Sequence, residues 1–263
     1  MQTELSAAWR NTAVGDEAAQ ILKTCVHCGF CTATCPTYVL LGDELDSPRG
    51  RIYMIKNLLE SGQPATAKGV KHIDRCLSCL SCMTTCPASV DYMHLVDRAR
   101  VRIEKTFARP WPERMLRVLL AFVLPSPGMF RLALKAAALG RPFKGMLPGR
   151  LKGLVAMAPA RVPAASAVDR PQVFEAEGKR LKRVALLTGC AQQVLRPSIN
   201  EATVRLLTRR GCEVVVAEGA GCCGALVHHM GREHDALAFA RANIDAWMAE
   251  IEGEGLDAIL ITA

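Results

Sequence analysis

Eight of the twelve cysteines stand in two runs of identical spacing. The first is Cys25, Cys28, Cys31 and Cys35, with Pro36 after it; the second is Cys76, Cys79, Cys82 and Cys86, with Pro87 after it. Each run reads C-x2-C-x2-C-x3-C-P. Three thiolates two residues apart let one tight loop wrap three corners of a cubic iron–sulfur cluster. The backbone N–H groups of such a loop point inward and stabilise the more negative reduced state. The fourth thiol lies beyond the loop, and the proline turns the chain away. Structural zinc is the competing use of paired cysteines, yet it takes four ligands in C-x2-C knuckles. Nothing in that chemistry asks for a third cysteine at the same step, or for Cys-Pro twice. A secreted disulfide framework needs an export signal, and Met1–Arg10 has no basic start followed by an apolar run.

Both runs resemble the ligand runs of bacterial-type ferredoxins, which implies two [4Fe–4S] clusters. In two-cluster ferredoxins the fourth cysteine of each run serves the other cluster. Carried over residue by residue, that resemblance implies one cluster on Cys25, Cys28, Cys31 and Cys86. The other takes Cys76, Cys79, Cys82 and Cys35.

These loops need elements to hold them. Ser47 before Pro48 is a helix start, and Ile52, Ile55, Leu58 and Leu59 recur at helical spacing over 49–61 until Gly62-Gln63-Pro64 ends the run. Residues 17–24 and 92–105 read as helices leading into the first run and out of the second. The module is therefore expected to be helical rather than the small β-rich type. Arg49, Arg51, Lys71 and Arg75 either screen cluster charge or form a solvated basic face. His27 sits inside a ligand loop whose four ligand places are already cysteines, so it reads as a hydrogen-bonding or exposed side chain.

Positive charge is concentrated in the middle of the chain. Residues 105–170 hold twelve Lys or Arg and two acids, which leaves 21 basic and 23 acidic residues elsewhere from totals of 33 and 25. Two short apolar helices are expected over 113–124 and 128–139, each with a basic stripe (Arg114 and Arg117; Arg131 and Lys135). That pattern suits an anionic membrane surface, with Trp111, Phe122 and Phe130 at the boundary, or an acidic partner subunit. A linker packed on the protein's own core is the plain alternative. Nucleic acid is not an expected partner, because the basic residues are spread among prolines with few aromatics to stack on bases.

From Arg183 the pattern becomes strand–helix alternation, with strands over 184–188, 213–218 and 258–263 and helices over 199–210 and 234–250. Such alternation implies a parallel sheet. Cys190 and Cys222-Cys223-Gly224 fall just past the first two strands, at the carboxyl edge where α/β sheets bind ligands. Gly219, Gly221 and Gly224 formally match a dinucleotide fingerprint, but after the second strand rather than the first. Cys212 reads as a small core residue. The Cys190…Cys222-Cys223-Gly224 arrangement resembles the first half of the cysteine-rich CCG domain, whose closing C-x-x-C is absent. The sequence therefore reads as the front portion of a longer subunit or as a truncated gene product.

Taken together, CVHCGFCTATCPTYVLLGDELDSPRGRIYMIK (Cys25–Lys56), DRCLSCLSCMTTCPASVDY (Asp74–Tyr92) and GCCGAL (Gly221–Leu226) resemble the family of glycolate oxidase iron–sulfur subunits. The resemblance implies an α + α/β chain. A helical two-cluster ferredoxin domain (1–105) precedes a basic Pro-rich connector (106–182) and an incomplete CCG half-domain (183–263). It implies an electron-transfer subunit of a flavin-dependent 2-hydroxy-acid oxidase, with an FAD-containing catalytic subunit as partner and a respiratory acceptor such as a quinone. Cys190, Cys222 and Cys223 would form a further iron–sulfur site where the whole domain is present. Related subunits acting on lactate, glycerol 3-phosphate or a heterodisulfide carry the same ligands, and a non-redox nucleic-acid-binding iron–sulfur protein is the remote alternative. No acid–base pair or nucleophile stands out, so no catalytic residue is assigned. The expected location is cytoplasmic, with peripheral attachment to the inner face of the cytoplasmic membrane.

Overall fold

A computed structural model describes residues 1–147 and 149–262. The chain divides into two units, one of Met1–Pro110 with Val227–Glu233, the other of Trp111–Leu226 with His234–Ala263.

The first unit is helical. Helix α1 (Ala13–Thr24) begins where the Thr12 hydroxyl accepts from the Gly15 N–H, and ends one residue before the first cysteine. A 3-10 turn (Phe30–Thr32) leads to α2 (Pro36–Leu41), with Pro36 in its first turn as the Cys-Pro step requires. In α3 (Pro48–Ser61) the Ser47 hydroxyl accepts from the Gly50 N–H at 2.9 Å, Pro48 opens the helix, and Gly62 closes it at φ 66°. Then come α4 (Ala67–Asp74), the short α5 (Ser81–Thr84) and α6 (Tyr92–Thr106), the last capped by Asp91. Helix α6 packs against α1, α3 and α4. Their apolar faces meet in a core that includes Leu22, Ile55, Ile73, Leu95, Val96 and Ile103. At about 25 cal/mol per Å² of apolar surface, this core holds the ends of the helices, and hence the cysteine loops, in place.

The second unit opens with α7 (Trp111–Val123), α8 (Pro127–Gly140) and α9 (Gly149–Met157). A strand missed in the sequence follows, β1 (Gln172–Phe174); then β2 (Lys182–Leu187), α10 (Gln192–Leu195), α11 (Ser198–Arg209) and β3 (Cys212–Val216). The chain continues through α12 (Ala225–His229) and α13 (Glu233–Glu252) to β4 (Ala258–Ile261). The sheet order is β1-β3-β2-β4. Strand β2 pairs parallel with both β3 and β4, as the strand–helix alternation implies, whereas β1 pairs antiparallel with β3. The sheet is thus mixed, and its antiparallel edge comes from the stretch expected to be connector. A three-residue, half-exposed strand has too little alternation to register in the sequence. The end of the expected third strand, Ala263, lies outside the described residues.

Arg183, at the start of β2, is 6% exposed and ties the sheet to α13. Its guanidinium donates to Glu213 at 2.6 Å, to Glu250 at 2.8 Å and to the Gly255 carbonyl at 3.0 Å. Burial works against ionisation of Glu213, but hydrogen bonds from Arg183 and Arg180 outweigh it and lower its pKa below the ordinary 4.5. Because the folded value is the depressed one, this stability is present above about 4.5 and is lost as the pH falls through the folded value. Glu213→Gln is expected to lower the urea midpoint at pH 7 and to flatten its decline on the acid side. Parallel pH curves for the two proteins would contradict the assignment.

Candidate metal centres

The two cysteine runs fold into the same loop twice. In the first, His27 (φ 55°) and Gly29 (φ 86°) are left-handed; in the second, the equivalent Ser78 (φ 51°) and Leu80 (φ 58°) are. Left-handed residues alternating along a loop gather successive N–H groups on one side, a nest for an anionic group. Hydrogen bonds repeat as well: Thr32 N–H to Gly29 O (2.9 Å) and Cys35 N–H to Thr32 O (3.2 Å) match Met83 N–H to Leu80 O (2.8 Å) and Cys86 N–H to Met83 O (3.2 Å). Only Gly29 adopts its conformation freely. A Cβ there would also meet Arg49 Nη1 at 2.7 Å. His27, Ser78 and Leu80 each bear roughly 1–2 kcal/mol of backbone strain. Arg100, buried on α6, steadies the second loop by donating to the Cys76 carbonyl at 2.6 Å and to Ser78 Oγ at 2.5 Å.

Two cavities lie beside these loops. Cys25, Cys28, Cys31 and Cys86 line one, together with Arg49, Tyr92 and Cys82. Cys35, Cys76, Cys79 and Cys82 line the other, with Arg51, Thr37 and Tyr92. All eight cysteines are free thiols. Burial and the neighbouring sulfurs of Cys76, Cys31, Cys35 and Cys79 push the Cys82 thiol up to about 12. Burial raises Cys31 too, and Cys25 and Cys86 add to the rise against backbone N–H groups that lower it. Thiols crowded in this way ionise together only around bound cations, and a four-iron cubane supplies them. The donor set and the nests fit such a group.

Residues the sequence left unassigned surround the second cavity. Asp46, wholly buried, accepts from Arg75 at 2.8 Å, lies 2.9 Å from His72 Nδ1 and 3.4 Å from Arg51 Nη2. Burial opposes its ionisation, and the bonds from His72 and Arg75 outweigh that, holding its carboxyl below the usual carboxylate range. Tyr92 donates to Cys76 Sγ at 3.4 Å. Of the four basic residues weighed in the sequence, Arg51 and Arg75 join this network, Arg49 pairs with Glu44 at 2.8 Å, and Lys71 is exposed. His27 Nε2 lies 2.8 Å from Met1 Sδ, and its pKa is lowered by burial and by Arg49. Sequence separation hid the roles of Asp46 and Tyr92, whose partners Arg75 and Cys76 lie 29 and 16 residues away.

In the second unit, Cys190 follows β2 and Cys222-Cys223 follows β3, and the fold brings these thiols together. The hydrogen bond from the Cys222 thiol, together with backbone N–H groups, lowers Cys190 to about 7 against burial, while its bonds to Cys190 and Cys223 raise Cys222. Asn243 on α13 anchors their loop, accepting from the Gly221 N–H at 2.8 Å and donating to the Cys222 carbonyl at 2.9 Å. Gly224 (φ 81°) must be glycine, since a Cβ would meet the Ala236 carbonyl at 2.9 Å. Cys212 opens β3, half-buried.

Helix α7 turns Trp111, Met115, Leu119 and Phe122 to solvent, and none of its described residues is buried. Phe130 instead packs with Leu134, Ala158 and Val194, so it is not a boundary aromatic. No helix among the described residues is long and apolar enough to cross a membrane.

Comparison with known proteins agrees with this geometry. Residues 21–90 match the 4Fe-4S dicluster domain and residues 184–263 the cysteine-rich domain. The glycolate oxidase iron–sulfur subunit of Escherichia coli is 48% identical over 263 residues, covering 100% of this chain and 61% of that protein. The probable glycolate oxidase iron–sulfur subunit of Bacillus subtilis is 30% identical over 92% of the chain and 56% of its own length. One component of the dihydromethanophenazine:CoB–CoM heterodisulfide reductase of Methanosarcina acetivorans is 23% identical over 87% of the chain and 53% of its own length. The chain thus spans 53–61% of the length of these relatives. No solved structure matches it. The chain thus carries a match to the 4Fe-4S dicluster domain and a match to the cysteine-rich domain, and it is similar over its whole length to the glycolate oxidase iron–sulfur subunit of Escherichia coli.

Proposed function

We propose that this chain is the electron-transfer portion of a flavin-linked 2-hydroxy-acid oxidase, glycolate being the favoured substrate of the complex. The observation that carries the proposal is the pair of cavities, one lined by five cysteines and the other by four, each drawing on both runs and sharing Cys82. A flavin releases two electrons, and each bound cubane takes one, so two in series convert a pair transfer into single steps. The chain's own residues supply the thiolates, the N–H nests and the apolar burial that tune acceptance of charge. The partner is an FAD-containing subunit, and the acceptor is a respiratory carrier such as a quinone. No substrate-oxidising site is assigned to this chain.

The ligand sets in this reading are Cys25, Cys28, Cys31 and Cys86 for one cluster, and Cys76, Cys79, Cys82 and Cys35 for the other. The sharing of the cavities supports the crossing. Cys190, Cys222 and Cys223, brought together at one edge of the sheet, are in this reading a further iron–sulfur site. The heterodisulfide reductase relative supports a second substrate class, and co-purification with a flavoprotein followed by its substrate profile separates the two.

The outward apolar face of α7, set among the basic residues of 105–170, supports peripheral attachment to an anionic membrane surface. Each basic side chain near such a surface is worth about 1 kcal/mol, and salt screens it. Wild-type protein is expected to co-sediment with phosphatidylserine vesicles at low salt, and a variant lacking residues 113–139 to stay in solution. Equal sedimentation would contradict attachment through these helices.

The crossed ligation has its own test. Cys25→Ser and Cys86→Ser are expected to alter the same EPR signal and leave about four of eight irons undisturbed, while Cys35→Ser alters the other signal. If Cys86→Ser and Cys82→Ser instead altered one signal in common, each run would bind its own cluster.

A further inference from the structure

The charges and donors around the two cysteine sets are unequal. Arg51 is 1% exposed, and its Nη1 points at Cys35 Sγ from 3.8 Å. Its short bonds go to neutral acceptors, the His72 carbonyl at 2.8 Å and Thr37 Oγ1 at 3.0 Å. The nearest carboxylate, Asp46, is 3.4 Å away and is engaged more tightly by Arg75 and His72. Asp43, half-exposed, meets this network through His72 at 3.9 Å. A buried guanidinium so weakly compensated keeps a local positive potential beside the sulfur. In the same set, Tyr92 donates to Cys76 Sγ at 3.4 Å.

Among the described residues, the set around Cys25 has neither a buried guanidinium nor a side-chain donor at a sulfur; Cys31 receives backbone N–H groups alone, those of Arg49 and of Cys31 itself. Its guanidinium, Arg49, is a third exposed and paired one-to-one with Glu44 at 2.8 Å. The amino terminus approaches the Cys25 carbonyl at 3.2 Å, but it also bonds the exposed Lys23 carbonyl, where water screens it. A cluster gains a negative charge on reduction, so a buried cation and a hydrogen bond to sulfur raise its potential.

We infer that Arg51 and Tyr92 are positioning residues that make the cluster on Cys35, Cys76, Cys79 and Cys82 the higher-potential centre, where the first electron taken up by the protein resides. This inference rests on the ligand sets proposed above. It gives electron flow a direction, from the Cys25 set toward the Cys35 set, with one electron lost by the first and gained by the second.

The test is an EPR-monitored potentiometric titration of the full-length holoprotein with dithionite as reductant, with Cys86→Ser used to label the signal of the Cys25 set. Tyr92→Phe removes one oxygen and is expected to move the higher midpoint downward while the lower stays fixed. Arg51→Met is expected to move the same midpoint further, and Arg51→Lys to restore most of it. Should Arg51→Met fail to load its clusters, the Tyr92→Phe titration decides. Two centres with unmoved midpoints, or a shift confined to the Cys25 set, would overturn the inference while leaving the cluster reading intact. A wild-type protein without two centres would overturn both.

Discussion

Eight thiols drawn into one small helical unit are an electrostatic problem before they are a site. Each ionised sulfur raises its neighbours, and burial raises them further, as Cys82 at about 12 records. The arrangement becomes favourable only with cations at its centre. Much else in the first unit follows from that constraint. The left-handed residues gather successive backbone N–H groups on one side of each loop, Arg100 pins the second loop, and the α1, α3, α4 and α6 core fixes where the loops begin and end. Strain of roughly 1–2 kcal/mol at each non-glycine left-handed position is sustained because the surrounding structure over-determines the loop.

The two cysteine runs proposed as ligands were legible in the sequence, because covalent spacing is local and the C-x2-C-x2-C-x3-C-P run has few other uses. The helices that hold them were legible too, since Ser47-Pro48 and Gly62 are local signals with a physical cause. What escaped was long-range. Asp46 gathers Arg51, His72 and Arg75 from up to 29 residues away, and nothing near Asp46 in the chain announces it. The equivalence of Leu80 with Gly29 was hidden for a related reason: only one of the two loops uses glycine at that turn.

The second unit shows the same division. Strand–helix alternation foretold the parallel pairing of β2 with β3 and β4, and placed Cys190 and Cys222-Cys223 at one edge. It did not foretell β1, whose three residues lie antiparallel at the sheet margin. It also did not reveal which aromatics of the basic segment face outward. A periodic apolar face reads alike whether it meets a core or solvent, so Phe130 and Phe122 were indistinguishable until their neighbours were known. Asn243, which clasps the Cys222 loop from α13, was equally silent in sequence.

The central claim is that each set of four thiols holds an iron–sulfur cubane rather than a lone metal ion. Iron and acid-labile sulfide measured together on anaerobically purified protein test it most directly. For the ferredoxin-type unit the account predicts about eight irons and about eight sulfides, in equal number. Zinc in place of iron, or iron without sulfide, would contradict it.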